Sequence, residues 1–212
     1  MEKGLFITFE GADGSGKSTQ ARFLAEGLKE LGFEVVLTRE PGGCPVAEKI
    51  RDIVLDKNNT DILDVTEAYL YAAARAQHVH EVIIPALAEG KIVVCDRFIH
   101  SSVAYQGYGR NLGKERVLEI NKHAVDGCLP DITFFITINP EHAFDRMNEQ
   151  KERDRLETQE QAFYDRLFQG YLKILKDEKE TIIPIEAKGT KYETKEIVLE
   201  KTKAIFEEKG LL

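Results

Sequence analysis

Near the amino terminus, Gly11, Gly16, Lys17 and Ser18 satisfy the spacing G-x-x-x-x-G-K-[ST], and the chemistry of that spacing is the holding of nucleotide phosphates. Glycines let backbone N–H groups wrap around phosphate oxygens, and the start of the following helix adds partial positive charge at the same place. Lys17 is placed to reach β and γ phosphates, and the Ser18 hydroxyl is a hard oxygen ligand of the kind that suits Mg²⁺. The run Gly11, Ala12, Asp13, Gly14, Ser15, Gly16, Lys17, Ser18 and Thr19 is therefore expected to line an ATP site. The flanking chain has the context this requires. Residues 5–9 are a compact apolar strand run, and Ala21, Leu24, Leu28 and Leu31 then repeat at helical spacing.

A phosphate loop alone does not say what is done with the nucleotide, because switches, motors, ligases and kinases share it. A guanine-binding switch would want Asn-Lys-x-Asp, but Asn121 and Lys122 are followed by His123 and Ala124. Other residues point toward phosphoryl transfer. Arg39 follows the second apolar strand and Arg97 the third, so both should converge at one sheet edge, where forked guanidinium groups can clamp a phosphate. Either arginine taken alone would more often be a surface salt bridge. Asp96 ends the strand run 92–95 where such folds place an acid near the metal, which makes it a candidate for a water-mediated Mg²⁺ contact. Asp13 lies inside the loop, where its negative charge needs a cation or a sugar hydroxyl. Arg75 sits in an alanine-rich apolar run with Tyr71 one helical turn before it, and a buried arginine needs an acceptor.

The segments FEGADGSGKST, TREPGG, AAARAQH and DRFIHSSVAYQG, in this order and spacing, resemble the signature segments of thymidylate kinases, and DRLE at residues 154–157 extends the likeness. The resemblance implies transfer of the γ-phosphoryl group of ATP to dTMP, giving dTDP and ADP, a step toward dTTP for DNA replication. It assigns Arg39 and Arg97 to the acceptor phosphate, with Pro41 in the same site. It places Asp13 by the acceptor's 3′-hydroxyl or in the Mg²⁺ shell, Tyr71 stacked on the base and Arg75 at thymine O4. Ser102 and Gln106 would fix the pyrimidine edge, and Tyr105 would press on the sugar where a ribose carries its 2′-hydroxyl. The aromatic residue is commonly Phe in the family, so the hydroxyl of Tyr71 is a departure that needs a partner. A monophosphate with a second pKa of about 6 is largely dianionic near neutrality, so no strong general base is required.

Some thymidylate kinases carry a basic residue in the loop after the Asp, where this chain has Gly14. The missing charge would come from Arg153 or Arg155, catalytic candidates beside Lys17, Asp13 and Arg97. Both lie in the charged run 149–157, which reads as a solvated face or as a lid over about residues 146–157. Arg146 is a third candidate.

Further apolar strand runs at residues 35–37, 132–138 and 182–185 alternate with helical patterning. Helices are expected at about residues 45–55, from Asp64 as cap to about residue 89, and on either side of the charged run, from about 141 and up to about 177. Uniformly apolar strands separated by helices predict an α/β fold: a three-layer P-loop NTPase fold whose five-stranded parallel sheet is covered by helices on both faces. The 212 residues fit one domain. A formal charge of −8 argues against non-specific nucleic-acid binding. No apolar run is long enough to cross a membrane, and no leader is expected. Cys44, Cys95 and Cys128 have no metal-type spacing and read as free thiols, which fits the cytoplasm. The histidines read as surface or helper residues and not as metal ligands. The family resemblance further implies a homodimer packed through helices in the region 45–89.

Overall fold

The computed structural model describes residues 4–137, 154–156, 159–187 and 189–212. Its strands are β1 (Phe6–Glu10), β2 (Val35–Arg39), β3 (Ile92–Asp96), β4 (Ile132–Thr137) and β5 (Ile182–Glu186). They form one sheet in the order β2-β3-β1-β4-β5, every pair parallel. Helices α1 (Lys17–Glu30), α2 (Pro45–Leu55), α3 (Asp64–His78), α4 (Ile84–Ala88), α5 (Ile99–Ser102), α6 (Lys114–Val125), α7 (Gln161–Asp177) and α8 (Lys191–Glu208) run between and after the strands. The expected α/β fold is what the chain adopts.

Both faces of the sheet are apolar because successive strand residues point to opposite sides. Ile7, Phe9, Val94 and Phe134 pack with Leu24 and Leu28 of α1 and Val198 and Phe206 of α8. Their neighbours turn the other way, with Phe6, Val93 and Cys95 against Phe98 and Ile83, and Phe135 against Leu167 and Tyr171 of α7. In β1, β3 and β4, burial on two sides explains why the strands read as unbroken apolar runs. The register pairs Phe9 and Arg39 with Asp96, so Glu10, Arg39 and Asp96 end at the same carboxyl edge. The chain leaves β1 toward β2 on one side and adds β4 and β5 on the other, a switch point that opens a crevice at that edge.

Two expectations are corrected. Asp64 does not cap α3; Leu63 occupies that position, and Asp64 is the first helical residue. There its charge faces the positive helix end and lies 3.5 Å from Arg110. The expected single helix to about residue 89 is interrupted by a π-helical stretch, Val79–Ile83, before α4. Pro85 lacks the N–H that would bond to the carbonyl four residues back, and the turn before it widens, with the Ile84 N–H reaching the Val79 carbonyl. A second π-helical stretch, Val103–Gly109, carries Tyr105 and Gln106. The strand end at residue 138 and the helix expected from about 141 lie outside the described residues. Among the described residues, no helix is long and apolar enough to cross a membrane.

Candidate active site

Four segments bring the predicted residues to one cavity of about 330 Å³ at the carboxyl edge, lined at one end by Asp13, Lys17, Ser18 and Asp96 and at the other by Tyr71, Arg75, Ser102 and Gln106. Arg39, Pro41, Arg97 and Tyr105 also line it.

The phosphate loop joins β1 to α1. Gly16 caps α1 with φ 90°, a left-handed conformation that side-chain-bearing residues rarely adopt, and this turn leaves the first N–H groups of the helix facing the loop. Lys17 is buried, and its Nζ lies 3.3 Å from Asp13 Oδ1 and 3.4 Å from the Ala12 carbonyl. Burial and the neighbouring Arg97 charge together lower the Lys17 pKa, against the pull of Asp13. The Ser15 hydroxyl and Asp96 Oδ1 are buried without a hydrogen-bond partner. Among the described residues no cluster of His, Cys, Asp and Glu is arranged to hold a metal by itself.

Asp13 is only partly exposed. It accepts from Arg97 Nη2, the Tyr105 hydroxyl and Lys17. Burial would raise its pKa, but the charges of Arg97 and Lys17 and the Tyr105 hydrogen bond outweigh that and hold the carboxyl far below its usual range. Arg97 reaches this position at a backbone cost: its φ is 71°, and a non-glycine residue there carries strain of about 1–3 kcal/mol. Its backbone N–H bonds to the Phe9 carbonyl at 2.9 Å. Its Nη1 donates to Ser101 Oγ at 3.0 Å, the Gly11 carbonyl at 3.3 Å and the Tyr171 hydroxyl at 3.4 Å. Glu10, fully buried, fixes this turn by accepting from the Phe98 N–H at 2.8 Å and the Ser101 hydroxyl at 2.5 Å.

Arg39 is placed differently. Glu48 grips it in a fork at 2.7 and 3.0 Å, and side-chain exposures of 45% and 38% make this a surface pair whose net worth is small. The Arg39 hydrogen bond holds the Glu48 carboxyl at about 2, against burial and with help from the Gly43 N–H. The Glu40–Pro41 peptide is cis, and the Pro41 carbonyl accepts from Arg51 at 2.9 Å.

The far end of the cavity is organised around Arg75. Its Nε donates to Glu40 Oε2 at 2.8 Å, Nη1 to Ser102 Oγ at 3.0 Å and to Asn121 Oδ1, and Nη2 to the Phe98 carbonyl at 3.1 Å. A guanidinium carries five N–H donors, so one remains for the cavity that Arg75 lines. Behind it, Glu40 Oε1 meets His78 Nδ1 at 3.1 Å, and His78 Nε2 meets Thr38 Oγ1 at 2.7 Å. The His78 ring fits only because residue 43 is glycine: a Cβ there would stand 2.6 Å from it. Tyr71 lines the cavity beside Arg75, and burial raises its hydroxyl pKa, with the Glu67 charge adding.

Arg155 is buried and turned inward. It donates to Glu67 Oε2 at 2.5 Å and to the Val54 carbonyl at 2.8 Å. Asp154 and Leu156 on either side of it line the cavity. Arg146 and Arg153 lie outside the described residues.

The sequence did not mark Glu10, Glu40, Glu67, Asn121 and Tyr171 as residues that hold others in place; His78, read as a surface or helper residue, is a buried helper of Glu40. Glu40 lies within TREPGG and His78 within AAARAQH, so acidic or imidazole groups inside apolar or turn segments were the available signal. Nothing in the local pattern marked Glu67 or Asn121.

Comparison with known proteins places these residues in a family. A family model described as thymidylate kinase matches residues 9–198. A thymidylate kinase of a Thermoanaerobacter species is 52% identical over 175 residues, covering 82% of this chain and 85% of the relative. One from an Exiguobacterium species is 47% identical over 184 residues, 87% of each chain. The crystal structure of thymidylate kinase from Ehrlichia chaffeensis superposes with a TM-score of 0.77 at 32% identity, covering 95% of this chain and 99% of that one.

Proposed function

The chain belongs to the thymidylate kinase family, and from that premise we propose how its cavity phosphorylates dTMP to dTDP with ATP. A phosphate oxygen of dTMP forms a bond to the γ-phosphorus, the bond to the β,γ-bridging oxygen breaks, and ADP leaves with that electron pair. The observation that carries the assignment is that the phosphate loop and Arg75, Ser102 and Gln106 line one cavity together with Arg97 and Tyr105. That set suits a donor triphosphate, an acceptor phosphate, a sugar and a base.

Each group then has a task. Lys17 and the loop N–H groups hold the donor phosphates. Arg97 neutralises the acceptor phosphate, and Arg39 supplies a second, mobile fork from its exposed pairing with Glu48. Bringing two polyanions together is the main barrier this chemistry presents, so positioning and charge neutralisation are what the protein contributes. Asp13, locked by Arg97 and Tyr105, orients the arginine and offers an acceptor to the sugar 3′-hydroxyl. Tyr105 closes the sugar's 2′ face, Tyr71 stacks on the base, and Arg75 donates to O4.

Ser18 and Asp96 would hold Mg²⁺, which when bound neutralises charge on the donor phosphates; the buried, unpartnered Asp96 Oδ1 fits that task. Because Arg155 is committed to Glu67 and Val54, its role is to anchor the lid over residues 146–157, and Arg153 is the arginine assigned to the transferring phosphoryl group.

A homodimer and residence in the cytoplasm complete the proposal. Val46 and Ile53 on α2, Tyr69 on α3 and Leu118 on α6 are all at least 40% exposed, apolar surface that a second copy would cover. Cys44, Cys95 and Cys128 form no disulfide among the described residues, as in a reducing compartment. The test of the activity is incubation with Mg·ATP and a panel of nucleoside monophosphates. ADP formation should depend on dTMP and be far weaker with dCMP, dGMP or dAMP; ADP formation indifferent to dTMP would overturn the assignment.

A further inference from the structure

Glu67 stands in the first turn of α3, fully buried, and four donors converge on its two oxygens. Oε1 accepts from Gln106 Nε2 at 2.9 Å and Arg110 Nε at 3.3 Å, and Oε2 from Arg110 Nη2 at 3.0 Å and Arg155 Nη2 at 2.5 Å. Burial would raise its pKa, but the Arg110 charge and these hydrogen bonds lower it, so the group is a carboxylate. A carboxylate only accepts. The Gln106 amide must therefore turn its NH₂ toward Glu67, and its carbonyl oxygen is the end left for the cavity that Gln106 lines.

We propose that Glu67 is the positioning residue that makes the base pocket read a protonated N3. Resting on the assignment of this pocket to the acceptor base, the inference follows from two fixed groups. Gln106 presents an acceptor and Arg75, held by Glu40, presents a donor. Thymine offers N3–H and the O4 acceptor, the complementary pair; cytosine offers an N3 acceptor and an N4 donor, the reverse. A glutamine free to flip could meet either edge, since its two ends differ only in donor and acceptor character. Discrimination thus comes from what holds Gln106, and Glu67 is the hydrogen-bond partner of its Nε2. The same carboxylate grips Arg155 and Arg110, and Arg110 Nη1 reaches Gln159 Oε1 at 2.6 Å, so the base reader and the chain around Arg155 share one anchor.

The test is the ratio of kcat/KM for dTMP to that for dCMP in the wild type and in Glu67→Gln. A glutamine at 67 can donate as well as accept, which frees the Gln106 amide to flip. The ratio should fall about tenfold or more, with KM for ATP changing less than about twofold. An unchanged ratio, or a rise in KM for ATP equal to that for dTMP, would overturn the proposal, because a merely structural role would not single out the base. A measurement on the wild type stands independently of whether the variant folds. dTMP methylated at N3 should compete with dTMP at least about tenfold more weakly than its uracil analogue, and equal competition would overturn the proposal. Failure of the wild type to phosphorylate dTMP at all would instead refute the assignment of the site.

Discussion

Glu40 accepts a hydrogen bond from Arg75 Nε at 2.8 Å where both side chains are almost entirely buried, and its other oxygen is taken by His78. Such a pair contributes orientation more than net stability, yet removing one member leaves a buried charge and costs about 3–5 kcal/mol. Glu40→Gln keeps the shape and lets the arginine rotate. Steady-state kinetics should show KM for dTMP raised about tenfold or more with KM for ATP little changed. Equal effects on both substrates would contradict the pairing's role at the base.

Lys17→Ala removes the cation that reaches the donor phosphates. Turnover should fall by at least about two orders of magnitude, in line with loss of a preorganised charge. The thermal midpoint should hold or rise, because the ammonium is buried at a desolvation cost. A variant retaining more than about a tenth of wild-type kcat would refute the donor assignment.

Arg155→Ala should behave as a stability variant. The cost is about 1.5–3 kcal/mol, that of a hydrogen bond to a charged group, since Glu67 keeps Arg110 and Gln106, and it should be visible as a lowered midpoint in urea. Arg153→Ala should leave the midpoint unchanged and lower kcat. If Arg155→Ala left stability intact and abolished turnover, the anchor and finger roles would be reversed.

Glu178 gives a pH signature distant from the chemistry. The His100 hydrogen bond, against burial and with Lys114 adding, holds its carboxyl at about 2, below the unfolded value of 4.5. A folded pKa below the unfolded one contributes stability that is full above 4.5 and is lost as pH falls through about 2. For a half-exposed group this is worth no more than about 1 kcal/mol. The stability advantage of wild type over Glu178→Gln, read from thermal midpoints, should be present at pH 6 and smaller at pH 3. A constant difference across that range would contradict it.

The central strands were legible because Ile92, Val93 and Val94 of β3 and their counterparts in β1 and β4 are buried on both faces and leave no polar alternation to misread. The phosphate loop was legible because its glycine spacing is imposed by the backbone itself. The π-helical widening before Pro85 and the cap at Leu63 were not, since a continuous apolar pattern hides a missing N–H and an Asp fits the first turn as well as the cap. The charged run around Arg155 showed the limit most clearly. Composition says that such a run is solvated or mobile, but it cannot say that one arginine turns inward to a carboxylate 88 positions away. Glu40, Glu67, His78 and Asn121 were hidden for the same reason: each acts through a contact made by tertiary folding, and no local period encodes it.

In the proposed site, one cavity holds ATP at the phosphate loop and dTMP at the Arg75 end. The most direct measurement is quantitative product analysis by anion-exchange chromatography after incubating the wild-type chain with Mg·ATP and dTMP. dTDP and ADP should form in equal amounts, with little ADP when dTMP is omitted. ADP without dTDP, or equal phosphorylation of dCMP, would contradict the account.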